Sequence, residues 1–247
     1  FNFFSRFGSD MVVVNGVDAQ TNSHDTGRLF NWTGSNAEGR PSLSALHAAA
    51  NSPDQPLAYS VYGGNTTRTA GLLSYNRFDD ISRLRELSQP LRNPWSPESF
   101  ARPEREILEA QRLTRESASA LLASADLTPR QRKSLTTFQS ARADREGLEK
   151  LAGFLPTQDE LQQREEFLAG DDMFGSNLKQ QMQAALTVMQ SGLGSSADLS
   201  LGGFDSHENH DAIHDALYTH LADAITFFWD YAEKLGLAER ILLVVGS

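Results

Sequence analysis

The chain of 247 residues carries 32 acidic against 22 basic side chains, for a formal charge of −10, and no cysteine. That length suffices for one large core, the acidity opposes partners such as nucleic acid, and the missing thiols exclude disulfides, thiolate metal sites and cysteine nucleophiles. No apolar run approaches the roughly 20 residues that span a bilayer, so no membrane span is expected.

Residues 11–14 (MVVV), between Asp10 and Asn15-Gly16, predict a buried first strand. A polar loop follows over 17–27, and Ser42 is placed to cap a short helix running to Ala50. Residues 57–62 predict a second strand, and strand, helix and strand together make a parallel unit; 71–75 is a candidate third strand. From 96 to about 192 the pattern turns helical, with starts at Ser96-Pro97, at Thr128-Pro129 and at the capping-box pair Thr157 and Glu160. Ile107, Ala110, Thr114, Ala118 and Leu121 recur at helical spacing and predict one core stripe, with the basic run 130–133 on the solvated face. After a Gly/Ser hinge at 191–196, residues 199–204 read as a returning strand. Ile213, Leu217, Leu221, Ala224, Phe228, Ala232 and Leu235 then step as an amphipathic helix that Gly236 terminates. Residues 241–245 are the last expected strand, and a chain that starts at Phe1 and stops just after it reads as truncated at both ends. The expected fold is α/β, a mostly parallel central sheet flanked by helices with a large helical insert: 1–95 and 193–247 as core, 96–192 as insert.

Ligands of open parallel sheets bind outside the carboxyl ends of the strands, which here means the loops at 18–25, 63–65, 205–207 and 246–247. Asp205 and His207 supply the oxygen and imidazole donors that suit zinc or a similar divalent ion; the alternative is that Asp205, with Glu208, caps the following helix. His207, His210 and His214 share a helical face, but a rise of 1.5 Å per residue sets the outer pair roughly 10 Å apart, too far for one ion. The His210 and His214 pair has metal-ligand spacing without the acid of an HExxH motif. In TNSHDTG, Thr21 and Ser23 are hydroxyl nucleophile candidates beside His24, unless Asn22, Ser23 and Asp25 serve as turn formers. His47, among alanines, reads as a packing residue.

Three stretches, VVVNGVDAQTNSHDTG, LSLGGFDSHENHDAIHDAL and the helix leading into RILLVVGS, together resemble the exported bacterial family catalogued as domain of unknown function 1501, of the alkaline phosphatase and sulfatase-like superfamily. The resemblance implies a parallel-sheet sandwich, twin-arginine export and a periplasmic or extracellular location. It implies metal-assisted phosphoryl or sulfuryl transfer, with Asp205 and His207 as ligands and Ser23 or Thr21 as nucleophile near His24. The superfamily's remaining metal-binding positions would precede Phe1 and follow Ser247. The expected function is thus a metal-dependent hydrolase of a small anionic phosphate or sulfate ester; the alternative is a non-catalytic periplasmic or surface module that keeps the hydrolase fold and binds a partner or surface polymer.

Overall fold

A computed structural model describes residues 2–37, 39–63, 67–78, 81–89, 92–93, 96–100, 103–124, 126–143, 145–155 and 177–246. The expected Thr157 and Glu160 capping box, Gly64-Asn65 and Ser247 lie outside them. The chain divides into two compact units, Phe1–Ile81 with Pro156–Ser247, and Ser82–Leu155.

The first unit holds helices α1 (Asn2–Phe7), α2 (His24–Thr33) and α3 (Leu43–Asn51), then strands β1 (Tyr59–Tyr62) and β2 (Asn76–Phe78). α4 (Ile81–Ser88) starts at the boundary. The second unit contains the short antiparallel pair β3 (Arg92–Asn93) and β4 (Ser96–Phe100), then α5 (Glu104–Ala123), α6 (Pro129–Ala143) and α7 (Arg145–Leu151). The chain returns to the first unit with α8 (Leu178–Gln190), β5 (Ser196–Asp198) and α9 (His210–Lys234).

The sheet of the first unit has three strands in the order β2-β1-β5, all parallel, with Ser60 opposite Asn76 and Ala197. This corrects the expected α/β class: no described strand exceeds five residues, whereas α5 and α9 run to 20 and 25. The fold is predominantly helical with a minor open sheet, not a large parallel core of alkaline phosphatase type. Residues 11–14 and 241–245 are extended but belong to no sheet among the described residues, and Val12 and Leu242 are 89% and 84% exposed. Their apolar composition satisfies the strand pattern, yet among the described residues no strand pairs with them. Ile241 and Leu243 nevertheless pack on the helical core while Leu242 and Val244 face outward, the alternation of a one-sided strand.

The expected strand at 199–204 fails for a local reason. The Gln181 side chain accepts from the Ser200 amide at 2.8 Å and donates to its carbonyl at 3.0 Å, taking the two groups a ladder would need. Pairing therefore ends at Asp198. The Ser96-Pro97 start is likewise β4, and the helix begins at Glu104 after Pro103. The third strand forms at 76–78 and not at 71–75.

Other local rules hold. Ser42 accepts from the Ala45 amide as N-cap of α3. Thr128 and Gln131 form a reciprocal capping box at the start of α6, with Pro129 as its first residue. At the end of α9 Gly236, at φ +69°, allows the Leu237 amide to reach the Ala232 carbonyl and its own amide to reach Glu233, a Schellman stop. On α5 the expected stripe holds only in part: Ile107, Thr114, Ala118 and Leu122 turn inward, while Ala110 and Leu121 are exposed.

The main core of the first unit joins Leu178, Met182 and Leu186 of α8 to Ala224, Phe228 and Ala232 of α9, closed by Leu237. α8 is buried along most of its length, and its one charged side chain, Lys179, reaches Asp223 of α9 at 2.5 Å. Where α8 turns back to the sheet, Gly194 is required by space: a Cβ there would lie 2.1 Å from the Leu57 carbonyl oxygen. Leu186 is fully buried, so Leu186→Ala should lower the unfolding free energy by about 3 kcal/mol, read as a lower urea midpoint with an unchanged slope.

Candidate functional site

Two loops of the first unit meet at one polar edge. The first, 17–23, is held by its own side chains: Asp18 Oδ1 accepts from the Gln20 amide at 2.7 Å and Thr21 Oγ1 from the Ser23 amide at 3.1 Å. Asp18 and Thr21, rather than Asn22 or Asp25, thus form the turns. Ser23 then sits at the N-cap of α2 in extended backbone without capping through its side chain. Its hydroxyl accepts from Thr26 Oγ1 at 3.3 Å, and its carbonyl receives the Gly27 amide. His24 opens the helix and projects from it, 74% exposed.

The second loop, 199–209, leaves β5 and enters α9. Gly63, at φ +74° just past β1, leaves room for Ser200, whose hydroxyl would lie 2.3 Å from a Cβ at that position and which donates to the Tyr62 carbonyl. With the Gln181 contacts, this fixes the root of the loop over the end of β1. Beyond it, Asp205 Oδ2 faces His24 Nε2 at 3.5 Å, and Oδ1 faces His207 Nδ1 at 3.7 Å. The structure therefore brings His24, Asp205 and His207 together from segments some 180 positions apart in the chain. Ser23 and Thr21 stand on the adjoining loop, with Thr26 rather than His24 as the hydrogen-bond partner of Ser23.

α9 starts at His210 with Asn209 as its N-cap in left-handed backbone at φ +50°. Asp205 is not the cap, and His207 precedes the helix instead of sharing a face with His210 and His214. His210 Nδ1 is bound to Ser206 Oγ and His214 Nε2 to the Phe204 carbonyl, each at 2.9 Å. The two imidazoles lie with centroids 3.9 Å apart and planes tilted by 36°.

No group of three or more His, Cys, Asp or Glu side chains that could hold a metal ion occurs among the described residues. The geometry explains why Asp205 and His207 do not make the expected centre. His24 and His207 address opposite oxygens of Asp205 rather than one common point, and the ring nitrogens of His210 and His214 that face this loop are occupied by hydrogen bonds. The expected divalent cofactor, and with it the metal-dependent phosphate- or sulfate-ester hydrolase, is corrected by this arrangement and by the helical fold.

A feature not singled out in the sequence is an aromatic face beside these polar groups. Phe204 meets His214 edge-on at 5.5 Å and Tyr218 at 5.4 Å, and His214 lies 5.9 Å from Tyr218, which is 59% exposed. Its signal was legible: His210, His214 and Tyr218 repeat every four residues on a helix. His47, expected to pack, instead sits on the outer face of α3.

Compared with protein-family models, curated proteins and solved structures, the chain matches none. The resemblance to domain of unknown function 1501 and its superfamily is corrected accordingly: the sheet has three strands, and the metal ligands that define that chemistry do not converge. Among the described residues no helix is long and apolar enough to cross a membrane.

Both ion pairs of Asp205 are well exposed, and such pairs contribute at most about 1 kcal/mol. Asp205→Asn should therefore leave the thermal midpoint within a degree or two of the parent in a melting scan. A large loss would mean that Asp205 serves the fold and not a ligand.

Proposed function

We propose that this chain is a binding module for a hydroxyl-rich surface polymer, with a segment of neutral polysaccharide as the ligand. The observation that carries the reading is the exposed Tyr218 ring set against the half-buried Phe204 and His214, beside the Asp205, His24 and His207 cluster. A sugar ring presents an apolar C–H face and a rim of hydroxyls. Aromatic rings with a polar handle suit the first, and a carboxylate flanked by imidazoles and hydroxyls suits the second by accepting and donating at once. Thr21, Ser23 and Ser206 extend the polar rim as ligand-contacting groups.

A small anionic ester is the less suited partner. Asp205, Glu208 and Asp211 crowd the same loop and helix start, and the chain as a whole is acidic. The reading carries with it a periplasmic or extracellular location, where such polymers are met.

Titration calorimetry with cello-, chito- and malto-oligosaccharides tests it. Binding to at least one series is expected, weakened about tenfold by Tyr218→Ala, weakened also by Asp205→Asn, and indifferent to EDTA. Absence of binding across all three series, or affinity untouched by Tyr218→Ala, would overturn the reading.

A further inference from the structure

The sequence contains a single Asn-Gly pair, Asn15-Gly16, placed where the apolar run 11–14 passes into the loop 17–23. The pair lies outside every described helix and strand, and residues 8–18 are all exposed. Val14 and Val17, on either side of it, are 73% and 63% exposed. Among the described residues no hydrogen bond engages the Asn15 side chain or the Gly16 amide. Gly16 has φ +73°, and a Cβ placed on it would meet nothing within 4 Å. Open space therefore surrounds the peptide bond that joins the two residues.

An asparagine followed by glycine carries both halves of a reaction. The Gly16 nitrogen becomes a nucleophile when hydroxide removes its proton, and the Asn15 side-chain carbonyl carbon is the electrophile. Attack forms the N–Cγ bond and closes a succinimide ring. The Cγ–Nδ2 bond breaks, and that nitrogen leaves as ammonia after taking a proton from water. Water then opens the ring. Addition at Cγ breaks the new bond and yields aspartate, whereas addition at the main-chain carbonyl breaks the original peptide bond and yields iso-aspartate, with the backbone routed through the side chain. One water is consumed and one ammonia released, so no oxidant and no partner is needed. The attacking amide must be free of a hydrogen bond, and its residue must be small enough to approach, which a glycine without Cβ satisfies.

Other described asparagines fail one of these conditions. The Ser23 amide after Asn22 donates to Thr21 Oγ1 at 3.1 Å, and the Ala37 amide after Asn36 donates to Ser35 Oγ at 3.0 Å. The Ser52 amide after Asn51 donates to the Ala48 carbonyl at 2.9 Å, while Asn51 Nδ2 is itself held by the His47 carbonyl. Asn31 lies within α2, where the next amide belongs to the helix. Asn93 precedes Pro94, which has no amide proton to lose.

We propose that Asn15 is a self-modifying site, at which the folded chain converts its own side-chain amide to aspartate and iso-aspartate without an enzyme. Each event adds a negative charge to a chain that already carries −10. The iso-aspartate form also inserts a methylene into the backbone just ahead of the Asp18 and Thr21 turns, in the segment that leads to Ser23 and His24.

The test incubates the folded chain across mildly alkaline pH and maps its peptides by mass spectrometry, with isoaspartyl methyltransferase labelling to score the iso form. A synthetic peptide of residues 8–23 is the unfolded reference. Asn15 is expected to convert within a few-fold of the peptide's rate, an order of magnitude or more ahead of Asn22, Asn36 and Asn51, and faster in step with hydroxide. Asn15→Gln should abolish the methyl label in this segment, because the longer side chain closes its ring far more slowly. Conversion in the folded chain an order of magnitude slower than in the peptide, or Asn22 keeping pace with Asn15, would overturn the proposal.

Discussion

The first unit is organised around the pairing of β1 with β5. All four residues of β1 are buried, and Ser60 and Val61 are paired on both sides, to β2 and to β5. A parallel neighbour can reach β1 only after a long excursion of chain, and here β5 arrives 134 positions after Tyr62. Once the pairing is made, the position of everything downstream is constrained. Asp198 is pinned by Ser44 and Tyr59, Ser200 by Gln181 and the Tyr62 carbonyl, and the loop must leave over the end of β1 toward His24.

Stability and the proposed binding draw on different residues. The apolar contact of α8 with α9 forms a buried core of this unit, and the Schellman stop at Gly236 folds Leu237 back into it. The polar edge contributes little to the fold, because its ion pairs are exposed to solvent. Side chains such as His24, His207 and Tyr218 can accordingly exchange partners with a ligand without unsettling the framework that carries them. Asp198 belongs to the framework, where Ser44 and Tyr59 donate to its carboxylate.

Local chemistry in the sequence was readable where the decisive contacts are near in the chain. The cap at Ser42, the α6 start at Thr128-Pro129 and the Gly236 stop all depend on partners within a few positions. The contact of His24 with Asp205 at 3.5 Å does not come from the expected convergence of strand ends, because neither 11–14 nor 199–204 forms a strand. What misled was the inference from apolar runs to a large sheet. MVVV at 11–14 and the run at 241–245 have strand composition, but a strand is a relation between two chains of backbone, and no periodicity records whether a neighbour is present. Gln181, distant in sequence, ended β5 before Leu199 in a way no local pattern announces. The metal expectation failed similarly, because donor types can be read from residues while their convergence on one point cannot.

The account rests on loops 17–23 and 205–209 sharing one edge. Since the chain has no cysteine, Asn22→Cys and Glu208→Cys place two spin labels without background, and pulsed electron resonance reads their separation. A single short and narrow distance distribution is predicted, while a broad or long one would contradict the account at its centre.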